Sequence, residues 1–137
     1  MQPEKADNQV SQPAQLPGPI LMLGASTELD LEQELEALKY SEQWETGIAR
    51  KVLIRFPDFQ ITLRRMMANT RISHHHNRGR ICVQTVFGHI RMHADGKLFD
   101  LPQGKMLVLD RAVAHDVEAL EESAFLLTAV YPDSTAP

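Results

Sequence analysis

The sequence predicts a small all-β protein, a sandwich or barrel, preceded by one short helix. Three observations carry that expectation. Strand-like segments recur at intervals of ~8–12 residues through most of the chain. Turn chemistry separates them, at Pro57-Asp58, Gly88, Asp95-Gly96 and Gly104. Only the segment 27–40 spaces its apolar residues as a helix does.

Residues 1–25 are rich in Pro, Gln, Asn and Gly. They bury too little apolar surface to offset ordering entropy and are expected to form a tail, with Ile20, Leu21 and Met22 lying against the domain as a short strand. The domain proper is expected over 26–131, with a short polar tail at 132–137. Its helix, at about 28–40, carries Leu31, Leu35 and Leu38 as an apolar stripe. Asp30 is suited to cap it, and Gln33 completes a capping-box pattern. Three leucines make a narrow stripe, so the helix must lean on something larger.

Strands are expected next. The first covers 51–56. In the second, Phe59, Ile61 and Leu63 alternate with Gln60, Thr62 and Arg64, which reads as a half-buried strand. The run 81–87 is apolar enough to be buried on both faces. Ile90 and Met92 alternate with His89, Arg91 and His93, and Asp95-Gly96 predicts a tight hairpin. Further strands follow around Leu98 and Leu101, then at 106–109, 113–119 and 124–131.

The chain has 137 residues, suited to one domain, and a net charge of −4. That balance argues against nucleic acid as a partner, because phosphate binding needs a positive face. Arg64, Arg65, Arg71, Arg78 and Arg80 do gather locally, and solvated strand faces and loop ends are the simpler reading. No stretch approaches the ~20 apolar residues that span a bilayer, so no membrane partner is expected. The N-terminus has no apolar leader core, and the single Cys82 allows no internal disulfide. A cytoplasmic protein with a buried, inert thiol is expected. Met66, Met67, Met92 and Met106 read as core or pocket packing. There is no P-loop, no dinucleotide glycine pattern and no nucleophile elbow.

Six histidines remain: His74, His75, His76, His89, His93 and His115. If 74–76 is extended, His74 and His76 share a face and His75 takes the other. Two imidazoles on one face are a good start for a metal site. His115 shares a face with Val117 and Ala119, which suit an interior, so it is expected to point inward. An inward histidine must bond to something. His75 is expected at the surface, and His89 and His93 toward solvent.

The run from Ala68 to Ala119 resembles the two motifs of the cupins. The first motif is Gly, five residues, His-x-His, three or four residues, Glu, six residues, Gly. At those spacings stand Ala68, His74, His76, Ile81 and Gly88. The second is Gly, five residues, Pro-x-Gly, two residues, His, three residues, Asn. There stand Gly104, Asp110, Ala112, His115 and Ala119. All three histidines and two glycines match, and Ile81 replaces the glutamate. The resemblance implies an all-β, cupin-type double-stranded β-helix, a jelly-roll-like barrel with one short N-terminal helix, similar to the small stand-alone single-domain cupins of bacteria.

In cupins the three histidines and the glutamate hold a divalent metal inside the barrel. The resemblance therefore implies His74, His76 and His115 as ligands of a divalent transition metal (Fe, Ni, Zn, Mn or Cu). Ile81 has no lone pair, so the site gives up a charge and a donor. Three imidazoles alone still make a catalytic zinc site in carbonic anhydrase. Thiol dioxygenases, which share the cupin fold, hold iron with three histidines. Gln84 is a candidate replacement donor only if a bulge turns it to the face of Ile81. Two functions stay open: a metal-dependent cupin of oxygenase or isomerase type with a small-molecule ligand, and a metal-free binding or sensing module. A homodimer is expected in either case.

Overall fold

Two antiparallel sheets face each other in the computed structural model, which describes residues 25–75 and 78–131. The expected tails, including Ile20, Leu21 and Met22, lie outside the described residues except for Ala25. The helix α1 spans Leu31–Leu38 and is shorter than the sequence pattern implies. Asp30 caps it as expected, its Oδ1 accepting from the Gln33 amide at 3.1 Å. A 3-10 turn at Glu42–Thr46, for which the sequence shows no periodic signal, then leads into the strands.

The strands are β1 (Ile48–Arg55), β2 (Phe59–Met66), β3 (Arg71–His75), β4 (Arg80–Phe87), β5 (His89–Ala94), β6 (Lys97–Pro102), β7 (Met106–Leu109), β8 (His115–Ala119) and β9 (Ser123–Val130). One sheet has the order β1-β2-β9-β4-β7 and the other β3-β8-β5-β6. The expected all-β jelly-roll arrangement is therefore present. The β5–β6 hairpin turns at Asp95 and Gly96, both with positive φ (53° and 69°), the geometry that a two-residue Asp-Gly turn favours.

Two apolar clusters hold the layers together. The first lies between the sheets and includes Met66, Ile81, Val83, Ile90, Met92, Val117, Phe125 and Leu127. The second lies on the outer face of the five-stranded sheet, where Leu38 packs on Ala49, Leu53, Ile54 and Leu63. Leu31 and Leu35 join it, so the stripe on α1 finds its larger support.

Strand β2 turns its more apolar face away from the barrel. Its apolar residues Phe59, Ile61 and Leu63 pack in the outer cluster under α1, not in the barrel. Its other face is the inner one. Thr62 pairs with Leu127 and Arg64 with Phe125, and both partners belong to the inter-sheet cluster. Directly opposed residues in an antiparallel pair share a face. Gln60, Thr62 and Arg64 therefore line the barrel interior. Alternation identified the two faces but not which was inside, because the helix buries the more apolar one.

Of the methionines, Met66 and Met92 are buried as expected, while Met67 and Met106 are exposed. Cys82 is half-buried on the outer side of β4, less enclosed than expected.

Candidate metal and ligand site

His115 begins β8 and is only 4% exposed, in a strand whose burial alternates strictly. Val117 and Ala119 point with it into the inter-sheet cluster. Its Nδ1 lies 3.0 Å from the Val113 carbonyl oxygen. A carbonyl only accepts, so Nδ1 carries the hydrogen and donates it. A ring nitrogen tied to a backbone carbonyl fixes the orientation of an imidazole, as it does in many metal-ligating histidines. An open concavity of about 500 Å³ lies against the β5–β6 hairpin, lined in part by His93, Ala94, Lys97, His115 and Asp116.

The loop before His115 holds a left-handed residue where the motif has a glycine. Ala112 has φ of 60°. That left-handed conformation is the one a glycine supplies freely, and glycine is what the motif calls for there. The side chain differs from the motif while the chain path follows it.

On β3, the backbone places His75 opposite His115, with a register shift between Ile72 and His75. The shift puts three residues of β3 against two of β8, a β-bulge, whereas simple alternation takes no account of one. The side chains of His74 and His75, and all of His76, lie outside the described residues. Among the described residues no three His, Cys, Asp or Glu side chains gather into a metal-binding group.

Ile81, at the position of the cupin glutamate, is 3% exposed in the inter-sheet cluster. It is paired with Leu109 and Ala129. Both partners are apolar, and neither side chain offers a donor. Gln84 does not replace it. The β4–β9 register is regular from Ile81 through Gln84 and shifts only between Ala124 and Phe125. Gln84 therefore stays on the face opposite Ile81 and Val83, toward the outside.

His89 and His93 face outward, as expected. His89 Nε2 lies 2.6 Å from Asp100 Oδ1, and His93 Nδ1 lies 3.5 Å from Asp116 Oδ1. The arginines do not form one patch. Arg71 bonds to Asp116 and Arg80 to Asp110 at the surface, and Arg78 lies over the Tyr131 ring. Contrary to the solvated reading, Arg65 is 8% exposed. Its guanidinium holds Glu122 at 2.6 Å and the Leu35 carbonyl of α1 at 3.0 Å, and it lies over the rings of Trp44 and Phe87.

The residues that sequence reasoning missed are the polar inner wall of β2. Thr62 is buried and accepts a 3.2 Å bond from Gln60 Nε2. Gln60 Oε1 in turn accepts from Arg55 at 3.1 Å. The available signal was the alternation of Gln60, Thr62 and Arg64 beside an amphipathic helix that needed an apolar surface.

A search of solved structures adds the comparison that decides the fold's name. A cupin superfamily protein from Desulfitobacterium hafniense superposes with a TM-score of 0.60 at 15% identity, covering 62% of this chain and 78% of that one. The chain has the cupin fold. A conserved protein of unknown function from Streptococcus pyogenes superposes on this chain with a TM-score of 0.66 at 20% identity, over 88% of this chain and 100% of that one. A point mutant of salicylate 1,2-dioxygenase from Pseudoaminobacter salicylatoxidans, in complex with gentisate, reaches 0.68 at 17% identity, over 74% of this chain and 32% of that one. The chain thus spans about a third of that dioxygenase's length. No family model matches the sequence, and no curated protein matches it. No helix among the described residues is long and apolar enough to cross a membrane.

Proposed function

We propose that this cupin binds a divalent transition metal through His74, His76 and His115 at one end of the barrel, and a small organic ligand beside it. The observation that carries the reading is His115: buried, inward on β8, with Nδ1 tied to the Val113 carbonyl. A bound metal supplies Lewis acidity or a place to activate oxygen. The protein's part is to fix the imidazole ring, through the Val113 carbonyl. A dioxygenase of the same fold in complex with gentisate supports a small-molecule ligand. The same reading includes a homodimer.

The test is the metal content of untagged protein, since a run of histidines takes up nickel during affinity purification. Wild-type protein is expected to carry a transition metal, and His115→Ala to lose about tenfold or more in metal affinity. Equal metal in both overturns the assignment.

One observation favours a second reading, a metal-free binding module. Ile81 is packed into the apolar cluster where cupins place a charged ligand. That reading expects no thermal shift with Fe, Ni, Zn, Mn or Cu salts. A shift that disappears in His115→Ala excludes it.

A further inference from the structure

Arg64 and Arg50 lie directly opposite each other on β2 and β1. Opposed residues of an antiparallel pair project from the same face, so two guanidinium groups share one side of the sheet. That side is the inner one, because Arg64 is also opposite Phe125 of the inter-sheet cluster. Arg50 is exposed and Arg64 half-buried, so the pair runs from solvent toward the interior. Farther along the same pair of strands stand Thr62, Gln60 and Arg55, linked by hydrogen bonds.

Among the described residues no carboxylate answers these charges. The arginine ion pairs there engage Arg65, Arg71, Arg80 and Arg91, and none engages Arg50, Arg55 or Arg64. The side chains of Arg50 and Arg64 make no hydrogen bond to a described residue either, while a guanidinium carries five N–H donors. Two like charges placed opposite each other destabilise a sheet, and a half-buried cation without a partner costs more. The chain as a whole is acidic, with a net charge of −4, so a wall of three arginines without a carboxylate is a local departure.

We propose that Arg50 and Arg64 bind the oxyanion of a small ligand, a carboxylate or phosphate group, with Thr62 and Gln60 presenting the adjoining polar surface. The proposal rests on the reading that the barrel holds a small organic ligand, and it is independent of the metal. An oxyanion relieves the repulsion between the two cations and receives their paired N–H donors, a geometry that arginine meets better than lysine. Burial, and Arg50 after it, lowers the Arg64 pKa to about 10, as expected of a cation awaiting a counter-charge.

The experiment is calorimetric titration of full-length protein with inorganic phosphate and, separately, with succinate, at fixed low salt. At least one is expected to bind at millimolar concentration or tighter, and the stronger arm names the oxyanion. Arg50→Gln and Arg64→Met are each expected to weaken it about ten- to a hundredfold, the loss of one charge-assisted interaction. Arg50 is exposed, so its substitution keeps the fold. His115→Ala is expected to retain anion binding, which separates this site from the metal site. Absence of binding in both arms, or binding undiminished in Arg50→Gln, overturns the proposal. Loss of binding in His115→Ala but not in the arginine variants overturns it too, by moving the anion to the histidines.

Discussion

Arg64 illustrates how a single side chain carries an energetic cost within the fold. Its guanidinium has its pKa lowered to about 10, by burial first and by Arg50 second. A base whose pKa falls on folding costs stability at every pH below the folded value. The cost is relieved only as pH rises from about 10 toward the unfolded value, where the unfolded chain binds the extra proton. Arg64→Met is therefore expected to stabilise the anion-free protein by about 1–3 kcal/mol. Urea unfolding should give the same gain at pH 6 as at pH 8 (both well below ~10). A destabilised variant would mean that Arg64 makes a favourable contact that outweighs its burial. Nothing in residue type warned of this cost. An arginine alternating with apolar residues reads as solvent-facing, and only the placement of α1 turns it inward. His115 was legible for the opposite reason. Val117 and Ala119 share its face, and small apolar residues at alternate positions mark an interior in any register.

At the scale of elements, the sequence was clearest where local chemistry decides the backbone. Asp30 caps α1, Asp95-Gly96 makes the β5–β6 turn, and the strands fall close to their expected places. It was silent on the bulge between Ile72 and His75, because one extra residue in a strand leaves no mark in residue type. That bulge sits in the histidine strand, where it breaks simple alternation. The loop before β8 offers a sharper test. Ala112 holds φ of 60°, where an L side chain is strained and glycine is not. Ala112→Gly is expected to stabilise the fold by about 1 kcal/mol, despite the greater freedom that glycine brings to the unfolded chain. Denaturant titration reads this directly. A loss of stability would show that the Ala112 methyl makes contacts worth more than the strain, and would weaken the correspondence between this loop and the cupin motif.

At the scale of the whole molecule, the five-stranded sheet is unevenly covered. Helix α1 and the 3-10 turn pack over β1 and β2 and reach Leu126 and Val86, while β7 is left as an edge strand at the other side. Its outward side chains Met106 and Val108 are 56% and 67% exposed, opposite Gln84 and the half-buried Cys82. An edge strand with apolar side chains and unpaired backbone groups is a template for a second chain, and proteins that stay monomeric usually place charge there. β7 has none within Met106–Leu109. On the homodimer reading, this is the face that a second copy covers, and the hydrophobic gain from removing two exposed apolar side chains per chain is about 1–3 kcal/mol each. Light scattering should give a mass near twice 15.5 kDa for wild-type protein and near 15.5 kDa for the Met106→Lys, Val108→Lys double variant. Circular dichroism is expected to be unchanged, because both side chains already lie in solvent and lysine at an edge is compatible with a strand. A monomeric wild type removes the dimer from the proposed function. A double variant that stays dimeric keeps the dimer but moves its interface away from β7, with the opposite edge strand β1 as the next surface to test.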